Sequence, residues 1–122
     1  MSARGDHSLG KRGEELAVKF LKKKKYRVIE RNYHSPFGEI DIVAWDGDTL
    51  SFVEVKARSS SNYGSPQAAV GWVKQGRLCR TALDYLAKRK ITDIGMRFDV
   101  VAINVEGGVE LIRNAFEYRE PG

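Results

Sequence analysis

A chain of 122 residues with 42% hydrophobic and 30% charged side chains has ordinary globular composition and is long enough to bury a core without metal or disulfide staples. Its single cysteine, Cys79, excludes an intramolecular disulfide and a cysteine zinc site. No apolar run approaches a membrane span and the charged start MSARGDHSLGKRG lacks the apolar stretch of a secretion signal, so one soluble cytoplasmic domain over 1–122 is expected, with flexible ends at 1–8 and 117–122. The net charge of +5, from 21 Lys and Arg against 16 Asp and Glu, favours a polyanionic partner without identifying one.

Leu9, Gly13, Leu16, Ala17 and Phe20 recur at helical spacing, with Leu21 beside them, and predict a helix over 8–24 with one apolar face. Lys22 to Lys25 fall in its last turn, where cations suit the negative end of the helix dipole. Helical phase puts Glu14 at the edge of the apolar face, beside Ala17 and Leu21, and turns Glu15 toward solvent. YRVIERNY, residues 26–33, predicts a strand ended by Ser35-Pro36. Gly38 to Trp45 and Leu50 to Ala57, separated by Asp-Gly-Asp-Thr, predict a β-hairpin. SSSNYGSPQ, residues 59–67, is loop chemistry, and Ser65-Pro66 suits the start of a helix running to Arg89. The stripe Ala69, Trp72, Val73, Cys79, Leu83 and Leu86 reads as core, so Trp72 and Cys79 are expected to pack inward. Strands at 97–105 and 109–113, joined at Gly107-Gly108, complete the order αβββαββ, which predicts an α/β fold with a mixed central sheet of about five strands flanked by helices.

The hairpin carries charges inside its apolar runs. On a strand, residues two apart share a face, so Glu39 goes with Asp41 and Glu54 with Lys56, while Ile40 and Ile42 point the other way. With Gly47-Asp48 as a two-residue loop, paired numbers sum to 95, Asp41 lies across from Glu54 and Glu39 across from Lys56. With Asp46-Gly47 as the loop, Asp41 and Glu54 lie on a diagonal of one face; a three-residue bulged loop would separate them. Adjacent carboxylates repel and call for a cation between them. Lys56 can supply it as an ion pair, or a divalent ion can, since oxygen donors without a nearby imidazole or thiolate suit Mg²⁺ or Mn²⁺. His7 and His34 form no ligand spacing, Asp46 and Asp48 read as turn residues, and Asp99 reads as structural. E-x-K alone says little; an acid on one strand, E-x-K on its partner and a helix bearing Glu14 and Glu15 say more.

G-E-I-D at 38–41 followed by F-V-E-V-K-x-R at 52–58 resembles the signature of the YraN-like bacterial proteins, a family placed by similarity in the PD-(D/E)xK nuclease superfamily beside archaeal Holliday junction resolvases. The likeness extends over nearly the whole chain, through G-E-E-L-A at 13–17, R-N at 31–32, Y-G-S-P at 63–66, Lys74 and R-F-D-V-V at 97–101. It implies a restriction-endonuclease-like core and a Mg²⁺-dependent (or Mn²⁺-dependent) attack of water on a DNA phosphodiester. It carries over Asp41 and Glu54 as the metal-binding acids, Lys56 as the motif lysine and the Val55 backbone carbonyl as a further ligand. Ile40 stands where the superfamily name has proline, as is usual among resolvase-like members. Glu14 matches an acid on the first helix, serving the metal at one remove or a second metal; the alternative is a charge stabilised at a helix N-terminus. Arg58, Lys74 and Gln67 are candidate substrate contacts. The implied function is an endonuclease that recognises branched or junction DNA by backbone and shape, and a homodimer would suit a four-way junction. No base-stacking aromatic platform is evident in the sequence. The alternatives are a nucleic-acid-binding module that keeps the fold without catalysis, and an interaction protein whose acidic hairpin is only an ion-pair network.

Overall fold

Two helices and five strands follow one another as α1 (Ser2–Lys23), β1 (Arg27–Ser35), β2 (Gly38–Asp46), β3 (Thr49–Arg58), α2 (Trp72–Arg89), β4 (Gly95–Asn104) and β5 (Val109–Phe116). The structure, a computed structural model, describes residues 2–58, 70–104 and 106–120, with side chains from Lys11 onward except that of Arg58. The strands lie in one sheet in the order β1-β2-β3-β4-β5. β3 and β4 are parallel and every other pair is antiparallel. Tight turns suffice for the antiparallel pairs, whereas parallel neighbours need a crossover, which α2 supplies. This αβββαββ mixed sheet is the one the sequence predicts, and it is consistent with a restriction-endonuclease-like core.

Each helix covers one face of the sheet. Ala17, Val18 and Leu21 of α1 pack on Ile42, Ala44, Val53 and Val101. Leu78, Cys79, Ala82 and Tyr85 of α2 pack on Val43, Leu50, Phe52 and Phe98. The alternation Phe52, Val53 thus feeds both cores from the central strand, and each fully buried side chain of this size contributes roughly 1.5–3 kcal/mol. No helix among the described residues is long and apolar enough to cross a membrane.

The helices depart from their predicted faces. α1 starts at Ser2 rather than near residue 8. Its inward phase is Glu14, Ala17, Val18 and Leu21, which leaves Leu16 on the far side and 44% exposed. α2 starts at Trp72, not at Ser65-Pro66, and its inward phase is Gln75, Leu78, Cys79, Thr81, Ala82 and Tyr85. Trp72, Val73 and Leu83, expected in the core, are exposed; Cys79 is buried as expected, and Ala69 lies outside the described residues. Two polar residues took the inward phase because their hydrogen bonds are met locally. Gln75 Nε2 donates to the Val70 carbonyl at 2.8 Å and Thr81 Oγ1 to the Arg77 carbonyl at 2.7 Å, which removes most of the penalty for burying them.

Toward the end of the sheet away from Asp41, a polar network ties four strands together. Asp99, 1% exposed, accepts hydrogen bonds from Tyr26 Oη at 3.0 Å, Ser51 Oγ at 2.6 Å, Arg97 Nε at 2.8 Å and the Asn114 amide at 2.9 Å. Burial by itself would raise its pKa, but Arg97, Ser51 and the Asn114 amide outweigh it and hold the carboxyl below its ordinary value. Asp99 is structural, as its sequence context suggests. Asp46 is more than a turn residue: it closes β2 and accepts from Arg97 Nη2 at 2.7 Å.

Candidate active site

The β2–β3 hairpin turns through Gly47 and Asp48, with Gly47 at φ +62°, and pairs Asp46 with Thr49 through to Ile42 with Val53. This is the register in which paired numbers sum to 95, and extended by one residue it would set Asp41 against Glu54. The ladder ends before that pair. Asp41 Oδ2 instead accepts the Val55 amide at 2.8 Å, so a side-chain oxygen takes the place of a strand carbonyl where β2 leaves β3. The strand also turns over there. Ile42 packs under α1 and Ile40 under α2, although residues two apart on a regular strand share a face, and the expectation that both point one way is corrected. β2 stays paired with β1, where Asn32 lies across from Asp41, between the pairs Arg31–Ile42 and Tyr33–Ile40. Asn32 has φ +55°, a left-handed conformation that asparagine tolerates better than most residues.

On β3, alternation from Val53 sends Glu54 and Lys56 toward the α2 side and Val55 toward the α1 side. Glu54 is 7% exposed and ion-paired to Lys74 Nζ in the first turn of α2. Lys74 is thus a cation paired with Glu54 and felt at Asp41, in addition to whatever Lys56 contributes. Glu39 Oε2 lies 3.9 Å from His34 Nδ1 across the β1–β2 pair.

Asp41 stands at the seam between the two sides. It lines a cleft of about 810 Å³ beneath α1, together with Lys11, Arg12, Glu14, Arg31 and Glu39. Glu54 and Lys56 do not line that cleft, yet the charge of Glu54 is felt at Asp41. Burial first, and then Glu54, push the Asp41 carboxyl from 3.8 up to about 7, against the opposing pull of the Val55 amide and Lys74. Glu14, in the middle of α1, is 8% exposed. Its Oε1 accepts from Arg31 Nε at 3.2 Å, Arg31 Nη2 at 3.0 Å and Asn32 Nδ2 at 3.0 Å. Because α1 begins at Ser2, twelve positions upstream of Glu14, a charge resting on the helix dipole no longer explains this residue.

A half-buried Asp41, whose carboxyl is partly protonated near neutrality, and a buried Glu54 neutralised by a lysine describe a place short of positive charge. Their oxygen donors fit a hard divalent ion. Among the described residues no three Asp, Glu, His or Cys side chains gather as a metal cluster, so the fit rests on Asp41, Glu54 and main-chain oxygen. Of the remaining candidates, Lys74 is engaged by Glu54, Arg58 ends β3 opposite Asn104 with its side chain outside the described residues, and Gln67 lies outside them altogether.

Local sequence signals missed Arg31 and Asn32 as the partners of Glu14, although R-N was visible as a motif, and missed Lys74 as the partner of Glu54. The latter pair is separated by 20 positions and a crossover, so no local spacing could announce it.

The raised Asp41 pKa has a testable sign. The folded chain holds this proton more tightly than the unfolded chain, so between about pH 4 and 7 stability falls as pH rises, and above 7 the full penalty is present. Asp41→Asn keeps an acceptor for Val55 and removes the charge. In the absence of divalent ions it is expected to be more stable than the parent at pH 8, on the order of 1–3 kcal/mol, with the two converging near pH 4. Urea denaturation at both pH values measures this, and a less stable variant at pH 8 would refute the assignment.

Comparison with known proteins places the chain among close relatives. The profile of a family described as "Uncharacterised protein family UPF0102" matches residues 13–103. A UPF0102 protein of Syntrophus aciditrophicus is 50% identical over 111 residues, covering 88% of this chain and 87% of the relative. One of Geobacter metallireducens is 50% identical over 113 residues, covering 90% and 93%. One of Alkaliphilus metalliredigens is 48% identical over 111 residues, covering 89% and 97%.

Proposed function

This chain belongs to the UPF0102 family, and on that footing we propose that it is a divalent-metal-dependent endonuclease of the PD-(D/E)xK type, related to archaeal Holliday junction resolvases, that hydrolyses DNA phosphodiester bonds. The observation that carries the reading is the placement of Asp41 beside β3 at the parting of β2 and β3, its Oδ2 on the Val55 amide next to Glu54, where burial first and the Glu54 charge second push the Asp41 carboxyl up. Asp41, Glu54 and the Val55 carbonyl would hold Mg²⁺ or Mn²⁺. When bound, such an ion polarises the phosphate and acidifies a coordinated water.

The chain's own residues supply the rest. Lys56, two residues from Glu54 on the same side of β3, orients the attacking water or meets the negative charge that builds on the phosphate oxygens. Glu14, fixed by Arg31 and Asn32, adds a carboxylate on the cleft side. Lys11, Arg12 and Arg31 line the same cleft and suit a phosphate backbone, which supports recognition of DNA by backbone and shape rather than by sequence. A two-fold junction substrate would suit a homodimer. The second reading, a nucleic-acid-binding module that keeps the fold without cutting, draws its support from the absence of a three-acid cluster among the described residues.

Calorimetric titration with Mn²⁺ or Mg²⁺ tests the metal site. The parent chain is expected to bind, Asp41→Ala and Glu54→Ala to lose at least about tenfold in affinity, and Lys74→Met, which removes the competing ammonium, to bind more tightly. Equally negligible binding in all four proteins would sink the metal reading and leave an ion-pair network. Incubation with single-stranded, duplex, flap and four-way-junction DNA then separates enzyme from binder. Binding without metal-dependent cleavage of any substrate would favour the module.

A further inference from the structure

The first residue of α2 carries a large aromatic ring into solvent, and it does so on a rigid mount. Trp72 is 68% exposed. The Arg119 guanidinium lies 3.6 Å from its ring centroid, and Arg119 Nη2 donates to the Trp72 carbonyl at 2.7 Å. Arg119 Nε is the one buried side-chain polar atom without a partner among the described residues, so the guanidinium is placed by the ring and the carbonyl rather than by a carboxylate. Gly76 makes room for it: a Cβ there would come within 3.1 Å of Arg119 Nη2, and glycine inside a helix is otherwise disfavoured. Beneath the ring, the opening turn is tied down by Gln75, whose side chain holds the carbonyl of Val70, itself 1% exposed.

We propose that Trp72, backed by Arg119, is a stacking platform for an unpaired nucleobase, so that the substrate carries a single-stranded segment beside the phosphodiester held at Glu54. One ring face is occupied by a cation; a tryptophan that remains 68% exposed has its other face in solvent. Every base offers a π-face, so stacking is tolerant of sequence and favours strands whose bases are not already stacked in a duplex. The surroundings suit nucleic acid better than an apolar protein partner. Between Trp72 and Asp84 the helix bears Lys74, Arg77 and Arg80 and no acid, and phosphates flank every base. The same opening turn of α2 carries Lys74, which pairs with Glu54, so the platform and a partner of that acid are borne by one helix end. This inference rests on the nucleic-acid reading above and narrows it to substrates with unpaired bases, such as flaps.

The test uses Trp45→Phe as background, which leaves Trp72 the only fluorophore of the chain's two tryptophans, and is run in EDTA so that cleavage and metal binding play no part. Titration with a short oligothymidylate is expected to quench Trp72 emission. Trp72→Ala in the otherwise unaltered chain is expected to weaken oligothymidylate binding about 5- to 100-fold and to change blunt-duplex binding less than twofold. Trp72→Phe, which keeps a π-face, should recover most of the loss. Equal loss on both DNAs, no quenching, or emission that changes with protein concentration alone as two copies associate through this patch would each overturn the platform. Failure here with intact Mn²⁺ binding would remove the platform and leave the active-site reading; absent Mn²⁺ binding with intact quenching would do the reverse. Thermal melts of each variant establish that the protein compared is folded.

Discussion

Lys56→Met is expected to slow metal-dependent cleavage by about 10²–10³-fold, the loss typical of removing one preorganised charge from a transition state, while leaving Mn²⁺ affinity within about twofold. The split follows from position. Alternation along β3 puts Lys56 on the side of Glu54, two residues nearer the strand's end, and it is half-buried, so methionine can keep the packing of the stem while the ammonium is lost. A residue that held the metal would lose affinity and rate together, whereas one that meets charge on the reacting phosphate loses rate alone. Single-turnover cleavage of the best substrate beside Mn²⁺ calorimetry on the same preparations measures both. An unchanged rate would remove Lys56 from the chemistry, and a parallel loss of affinity would make it a support for Glu54.

Asp99→Ala should show the largest change in stability, a loss of about 3–5 kcal/mol, since it strips one of two carboxylate partners from the half-buried Arg97 guanidinium and leaves Tyr26 Oη, Ser51 Oγ and the Asn114 amide without the acceptor they share. At this chain length that corresponds to roughly 10–20 °C in Tm. The sign with pH is the reverse of that at Asp41. The Asp99 carboxyl is held below its ordinary value, so its contribution is present above about pH 4 and fades as pH falls toward the folded pKa; the gap between parent and variant should narrow in acid. Removing the charge of half-buried Asp41 is thus expected to stabilise the chain above about pH 7, and removing buried Asp99 to destabilise it. Denaturation of both variants across pH measures the contrast, and two changes of the same sign would show that the environments of these acids have been misassigned.

Much of this was legible from local pattern because local chemistry determined it. The Asp-Gly-Asp-Thr turn announced the hairpin and narrowed its register to a few choices, of which the structure takes the one that pairs Asp46 with Thr49, and helical phase alone separated Glu14 from Glu15, which are buried and exposed respectively. The element order followed from alternation and breakers. What escaped was set by contacts distant in sequence. Lys74 meets Glu54 only because a crossover helix brings its first turn over the central strand, and Asp41 leaves the ladder only because its side chain competes successfully for the Val55 amide. A stripe drawn from hydrophobicity placed Trp72 and Leu83 in the core; Gln75 and Thr81, polar but internally bonded, hold the inward positions instead. Such failures cluster at the parting of β2 and β3 and at the head of α2, where local preference yields to the site.

The central place of β3 governs when the site can come into being as the chain folds. The β1–β2–β3 meander closes through short turns, and β4 pairs with β5 across another, but the β3–β4 ladder joins Thr49 to Gly95 and Arg58 to Asn104 across a whole helix. Loop closure over that distance is the slowest pairing the topology demands. Until it happens β3 is an edge strand, its outer amides bare, with Glu54 and Lys56 on an unsupported ribbon. The hairpin alone brings Asp41 beside β3, whereas Lys74 can meet Glu54 only once the α2 crossover is in place, so the support that Lys74 and β4 give these residues arrives with the long-range closure.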